Sequence, residues 1–293
     1  MKILETEGWQ DYELVDSGDG RRLERFGKYL LDRPDPQIIW KKTLSESDWD
    51  KADAIFERLE NDKGEWTQKV SIPESWVINY NNLKLVAKLS PFKHTGIFPE
   101  QSINWEYINK KISECENEKI NVLNLFGYTG IASLVAAEAG ATVTHLDASR
   151  PAMGWFRENQ EASGLMQKPI RLILDDALIF TEREAKRGVK YDAIIMDPPV
   201  YGHDPKGNTW EFNRDFPKLM ENCRAILSDN PLFVLVNTYA ISSSAITLGN
   251  VMKDYLGDLG GTIEEGELAL KEKSAGRLLS TGIYAKWSSD VVK

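Results

Sequence analysis

Beyond Pro91 the chain alternates between two patterns of hydrophobic and polar positions. Short apolar runs rich in β-branched residues occur at NVLNLF, TVTHLD, IRLIL, YDAIIMD and LFVLVN, each about the length of a buried strand. Segments of helical period separate them: ASLVAAEAG, RPAMGWFRENQEASG, ALIFTEREAKRG and EFNRDFPKLMENCRAIL. Gly140, Gly164 and Gly188 stand where helix ends favour a residue without Cβ. Strand and helix in alternation predict a parallel, doubly wound α/β sheet. A further helix over Ser244 to Leu256, then strands near Thr262 to Leu270 and Leu278 to Trp287, bring the predicted sheet to seven strands, the last two forming an antiparallel hairpin. Pro217, inside the fourth helical segment, predicts a kink or a late helix start.

The first part of the chain reads as strands and turns. SGDG (Ser17 to Gly20) is a turn, and RRLERFGKYLL reads as a strand with basic residues interspersed. SWVINY, Asn81-Asn82 and LKLVAKL form a hairpin, because asparagine tolerates the positive φ of a tight turn. DWDKADAIFERLEN reads as one helix capped by Asp48. The predicted organisation is a small β-rich domain over residues 1–92 and a Rossmann-like α/β domain over 93–293.

The 293 residues are 42% hydrophobic, enough for an ordinary core, with apolar runs of about five residues against the roughly 20 of a membrane helix. The start, MKILETEGWQ, has acids where a signal peptide would be apolar. Cys115 and Cys223 are the only cysteines, too few for a disulfide framework or a metal cluster, so a cytoplasmic setting is expected. The net charge of -9 argues against a strongly basic, nonspecific nucleic-acid binder. Charge is nevertheless segregated: residues 20–42 hold seven basic side chains against three acids, and residues 1–19 hold one against six. That basic stretch is either an RNA footprint or an ordinary solvated face. Six of the nine tryptophans lie in the first 105 residues, where they pack the small domain or expose a base-stacking surface.

Candidate chemistry gathers at the carboxyl ends of the predicted strands, where ligands bind in open α/β sheets. After the first comes Phe126-Gly127-Tyr128-Thr129-Gly130, a G-x-x-G turn and not the G-x-G-x-x-G of a dinucleotide site. Asp147-Ala148 ends the second, about 20 residues after the first glycine, where a carboxylate can accept both hydroxyls of a ribose. Ser149 already offers a cap for the following helix. Asp175 and Asp176 end the third, where one can accept from an adenine amino group or cap the next helix. Asp197-Pro198-Pro199-Val200-Tyr201-Gly202 ends the fourth: one carboxylate, a rigid backbone whose carbonyls are expected to be free, and a ring to lie against a planar acceptor. His203, Asp204 and Lys206 follow in GHDPKGNTW, either a lid or a plain surface loop. His145, inside the second strand, reads as a core histidine.

These segments resemble the class I S-adenosylmethionine-dependent methyltransferases. More narrowly, NVLNLFGYTGIASLVAAEAGATVTHLDASRPAMGWFRENQ, LDDA and YDAIIMDPPVYG resemble the ribosomal RNA methyltransferase family that includes the cytosine-C5 enzyme of the large subunit. HTGIFPEQ (His94 to Gln101) is similar to that family's TG-x-F segment. The resemblance implies S-adenosylmethionine as cofactor. Gly127 and Gly130 would flank the methionine moiety, Asp147 would hold the ribose, Asp176 would meet the adenine, and Asp197 with Pro198 would face the methyl. Gln101 would add a contact or serve as a structural turn. Two departures stand out. Where cytosine-C5 members carry a nucleophilic cysteine after the fifth strand, this chain has Val236-Asn237-Thr238-Tyr239, which removes carbon-5 chemistry and leaves an acceptor that already has a lone pair, most often nitrogen. The separate RNA-binding module of many relatives is also expected to be missing, since SGDGRRLERFGKYLLDRPDP reads as the segment adjoining the catalytic domain. RNA methylation as part of rRNA processing is one expectation. Methylation of a small molecule or protein side chain, and cofactor binding without catalysis, remain the others.

Overall fold

The computed structural model describes residues 1–58, 64–117, 119–203, 207, 209–239 and 243–290. The elements, in chain order, begin with β1 (Lys2–Thr6), β2 (Tyr12–Gly18), β3 (Arg21–Phe26), β4 (Tyr29–Pro34), a one-turn α1 (Glu46–Trp49), β5 (Ala54–Arg58), β6 (Gly64–Gln68), β7 (Trp76–Tyr80) and β8 (Leu83–Ala87). There follow α2 (Ser102–Ser113), β9 (Asn121–Leu125), α3 (Ile131–Glu138), β10 (Thr142–Asp147), α4 (Arg150–Ala162), β11 (Ile170–Leu174), α5 (Ala177–Lys186) and β12 (Ala193–Met196). The last are β13 (Tyr201–His203), β14 (Thr209–Glu211), α6 (Phe212–Ile226), β15 (Phe233–Thr238), α7 (Ala245–Leu256), β16 (Thr262–Lys271) and β17 (Leu278–Ser288). Two compact units interleave in sequence. One comprises residues 1–4, 103–268 and 281–293, the other 5–102 and 269–280, against the expected single division at 92/93.

The larger unit is built on a sheet of order β1-β16-β17-β15-β12-β9-β10-β11. From β11 to β15 the strands are parallel, and β17 runs antiparallel to β15. The seven expected strands are present; an eighth, β1, joins the edge beside β16, a pairing between chain ends that no local pattern announces. All four residues of β12 are buried, as a central parallel strand requires. Leu123, Ile194, Val234, Phe216, Leu219 and Met252 belong to one apolar cluster, so strands and helices share a core. Each such side chain contributes about 1.5–3 kcal/mol on burial. Gly140, Gly164 and Gly188 have positive φ at the expected helix ends, and Ser149 caps α4 with its side chain. Pro217 lies inside α6, which starts at Phe212, so the late start does not occur. Strand order reverses between β9 and β12, and a crevice opens at such a switch point.

The smaller unit holds the sheet β2-β3-β4-β5-β6 and the hairpin β7-β8, whose turn has Asn81 at φ 49°. The single strand expected over RRLERFGKYLL is two, β3 and β4, folded back at Gly27 (φ 63°). The helix expected from Asp48 is a single turn capped by Ser45 in a reciprocal box with Asp48. The chain then enters β5, held by Asp53 accepting from the Leu30 amide at 2.8 Å. Ile55 and Phe56 suit a strand, and pairing with β4 and β6 overrides the helical period.

The basic stretch in this unit is largely taken up in ion pairs. Glu24, fully buried, accepts from Tyr12 Oη at 2.7 Å and Arg33 Nε at 2.7 Å, with Arg22 Nε at 3.3 Å. Desolvation raises its carboxyl, but the two guanidiniums outweigh this and hold it below the ordinary range. Arg21 pairs with Asp32 at 2.5 Å, and Arg25 lies 3.8 Å from Glu13. Five of the seven basic residues of 20–42 are thus engaged in ion pairs, two of them buried, and do not form an open phosphate track.

Candidate active site

The loop after β9 carries its own conformational signature. Phe126, Tyr128 and Gly130 have φ of 55°, 49° and 80°, a left-handed geometry that non-glycine residues rarely adopt. Glycine is required at two positions for a further reason. A Cβ on Gly130 would fall 1.8 Å from Phe156 Cδ2, and one on Gly127 would fall 2.3 Å from His145 Cε1. The loop is fastened to the end of β10, where Leu146 O accepts from the Gly127 amide at 2.9 Å and Asp147 Oδ2 from the Tyr128 amide at 2.8 Å. Asn159 of α4 donates to Thr129 O at 2.9 Å.

Asp147 is the hinge of this arrangement. Its Oδ1 accepts from the Ser149 amide at 2.7 Å, so both oxygens are oriented by backbone and each keeps a further lone pair. Desolvation pushes its carboxyl above the ordinary range, against the pull of the two amides. Ala148 follows directly, half-buried, before the Ser149 cap. Tyr128, largely desolvated and near the Asp147 charge, has its phenol pushed up to about 12, so it stays protonated.

On the next strand end, Asp176 caps α5 by accepting from the Ile179 amide at 2.9 Å. Asp175 is tied to Arg183 in an ion pair, whereas Asp176 has no cation partner among the described residues. Asp197 leaves β12 with an exposed side chain whose carboxyl is pushed up to about 6 by desolvation. Accessible surface combined with poor hydration is the condition of a carboxylate on a crevice floor.

The expectation that the proline carbonyls are free is corrected. Pro198 O accepts from Thr238 Oγ1 at 3.3 Å, and Pro199 O from Trp210 Nε1 at 2.7 Å. Proline removes donors from the turn, and neighbouring side chains supply their own. Trp210 also packs on Phe126 with ring centroids 5.0 Å apart, so one indole bridges the glycine loop and the Asp-Pro-Pro turn. Tyr201 is 57% exposed on β13, which pairs with β14 in a short hairpin. Asp204 and Lys206 lie outside the described residues.

Thus Phe126 to Gly130, Asp147, Ala148, Asp176 and Asp197 to Tyr201 all fall at the carboxyl ends of β9, β10, β11 and β12 in one unit. Gln101 belongs to the other unit. It closes the short 3-10 turn Pro99–Gln101, its amide bonded to Phe98 O at 3.0 Å. Thr238 and Trp210 were not visible from local pattern, because each acts on a residue 40 and 11 positions away respectively. The end of β15 holds Asn237, accepting from Asn104 Nδ2 at 2.9 Å, then Thr238. Cys223 is buried in α6 with its thiol raised by desolvation, and Cys115 precedes β9, so neither sits at a strand's carboxyl end.

A family model described as S-adenosylmethionine-dependent methyltransferase matches residues 54–250. A crystal structure of a SAM-dependent methyltransferase from Agrobacterium tumefaciens is similar at a TM-score of 0.95 and 39% identity, with 98% of this chain and 93% of that one covered. The ribosomal RNA large subunit methyltransferase K/L of Vibrio campbellii is 30% identical over 168 residues, 57% of this chain and 23% of the relative. The ribosomal RNA large subunit methyltransferase K of Neisseria meningitidis is 24% identical over 229 residues, 75% of this chain and 63% of the relative. The chain therefore spans less than two thirds of the length of these curated relatives.

Proposed function

The chain belongs to the S-adenosylmethionine-dependent methyltransferase family, and on that premise we propose that it methylates a nitrogen of an RNA base, with ribosomal RNA as the substrate. Asp197 is the observation that carries the acceptor chemistry. A carboxylate at the end of β12, exposed yet poorly hydrated, suits an N–H donor that must be oriented. The residues fit the cofactor. Asp147 keeps two lone pairs for ribose hydroxyls, Asp176 Oδ2 has no partner among the described residues and can take an adenine amino group, and Gly127 and Gly130 let the loop approach the amino-acid end. Bound there, S-adenosylmethionine supplies a methyl already activated on a sulfonium, so the protein's contribution is chiefly placement.

Asp197 accepts from the acceptor N–H, turns the nitrogen lone pair toward the methyl, and supports the positive charge that develops on that nitrogen. Thr238 fixes the Pro198 carbonyl, and Trp210 fixes the Pro199 carbonyl, so the turn that carries Asp197 does not swing. Tyr201 offers an accessible ring for a planar acceptor. The absence of cysteine after β15 supports nitrogen over ring carbon as the acceptor. RNA is favoured by the names of the relatives, which are ribosomal RNA methyltransferases. A second reading, a small-molecule or protein acceptor, is favoured by the inward-turned arginines and the net charge of -9. Radiolabelled methyl transfer into ribosomal RNA from a strain lacking the gene tests the proposal. Incorporation into a single base is expected, whereas label that enters only metabolites or protein would replace RNA with the second reading.

A further inference from the structure

Three buried polar side chains are linked by hydrogen bonds between the sheet and α3. They are Asn124 on β9, Ser133 on α3 and His145 on β10, which are 3%, 0% and 0% exposed. Asn124 and His145 are register partners on adjacent parallel strands and so share a face of the sheet. Asn124 Nδ2 donates to Ser133 Oγ at 2.8 Å, and Ser133 Oγ lies 2.9 Å from His145 Nδ1. Ser133 Oγ thus links the Asn124 amide to the His145 ring, and because a hydroxyl oxygen accepts twice as well as donating, either ring tautomer fits the network. Desolvation moves the imidazole down to about 3 against the opposing Tyr128 backbone, so the ring is neutral at physiological pH. Burying such a trio is unfavourable unless its hydrogen bonds fix something of use.

What it touches is the cofactor loop. The Cβ that Gly127 lacks would fall 2.5 Å from His145 Nδ1 and 3.2 Å from Asn124 Nδ2. The His145 ring packs on Phe156 with centroids 4.4 Å apart, and Phe156 is the ring that lies under Gly130. Both glycines of the loop therefore rest on one pair of adjoining rings. The loop needs a support, because Phe126 and Tyr128 hold left-handed φ values at a cost.

We propose that His145 is a positioning residue for methyl transfer: held in one orientation by Ser133 and Asn124, its ring sets the height of the Gly127–Gly130 backbone and thereby the seat of the cofactor's amino-acid end. It neither touches the reacting atoms nor moves a proton. The proposal rests on the loop being the S-adenosylmethionine site.

Calorimetric titration of S-adenosylhomocysteine into the full chain tests it, with thermal unfolding recorded for each variant. His145→Leu fills the volume without the hydrogen bond, whereas His145→Asn places an amide at the level of Nδ1 and can keep the bond to Ser133. The leucine variant is expected to bind roughly tenfold more weakly or worse, as when a buried hydrogen-bond partner is removed, and the asparagine variant to recover most of the loss. Ser133→Ala should weaken binding as well, and the Ser133→Ala/His145→Leu pair should be no weaker than the worse single variant. Wild-type protein that fails to bind would remove the site reading itself. Wild-type binding matched by His145→Leu would overturn this proposal alone, as would equal losses in the leucine and asparagine variants. Should His145→Leu not fold, unchanged affinity in Ser133→Ala would overturn it.

Discussion

Replacing Asp147 by alanine removes the one side chain that is both a fastener of the loop and the expected ribose ligand. A carboxylate offers about four lone-pair positions, and the amides of Tyr128 and Ser149 fill two of them at 2.8 and 2.7 Å. Two positions remain, the number needed for two ribose hydroxyls. A hydrogen bond to a charged group contributes about 1.5–3 kcal/mol. Loss of even one ribose bond therefore weakens binding by about 10- to 150-fold. Calorimetry with S-adenosylhomocysteine and with an analogue lacking both ribose hydroxyls separates the ribose bonds from the loop. Wild-type protein should discriminate strongly between the two ligands, and Asp147→Ala should not. A variant that binds S-adenosylhomocysteine as tightly as wild type, or still prefers it to the analogue, would refute the reasoning.

Other perturbations have equally definite outcomes. Asp197→Asn should lower turnover far more than cofactor affinity; equal turnover would take Asp197 out of the acceptor site. In the wild type, kcat/KM should rise with pH and level off above about 7, because the Asp197 carboxyl titrates near 6, and this rise should vanish in the asparagine variant. The sign for stability is opposite. A raised carboxyl pKa means that folding is favoured at low pH and that this contribution is lost as pH rises through about 6, so Asp197→Asn should melt no lower than wild type at pH 8. Gly130→Ala places a Cβ 1.8 Å from a Phe156 ring carbon at φ 80°. The left-handed backbone costs about 1–2 kcal/mol and the overpacking about 1–3, so denaturant unfolding should show a loss of about 2–5 kcal/mol. A stable Gly130→Ala protein with unchanged binding would contradict the loop geometry. Glu24→Ala leaves Arg22 and Arg33 buried together without their shared carboxylate, and about 3–5 kcal/mol of stability should be lost. Because the Glu24 carboxyl is depressed, its contribution is present above the unfolded pKa and fades as pH falls, so the variant should resemble wild type most closely in acid.

The larger unit was legible because its signals are local. Apolar runs of strand length, helix-terminating glycines and acids at strand ends appear within a few residues of one another, and the fold places them as expected. Where competing local signals existed, tertiary pairing decided. Ala54–Arg58 has helical periodicity on paper, yet two neighbouring strands take it as β5. Lys2–Thr6 became the eighth strand through a partner more than 250 residues away. The arginines of the basic stretch looked like a surface because their acids, Glu24 and Asp32, alternate with them along the same strands; cross-strand pairing folds them together. Thr238 and Trp210 were missed for the same reason, since their roles are hydrogen bonds to distant carbonyls. The polar trio did leave a trace, a lone asparagine in NVLNLF and a lone histidine in TVTHLD, each interrupting an otherwise apolar strand.

The most direct test of the central claim is a crystal structure of the chain with S-adenosylhomocysteine. The ribose hydroxyls should lie on Asp147, the adenine beside Asp176, the amino-acid end over Gly127 to Gly130, and the sulfur should face Asp197 and Pro198. A nucleoside bound elsewhere, or one seated in the crevice with Asp147 turned away from its ribose, would contradict it.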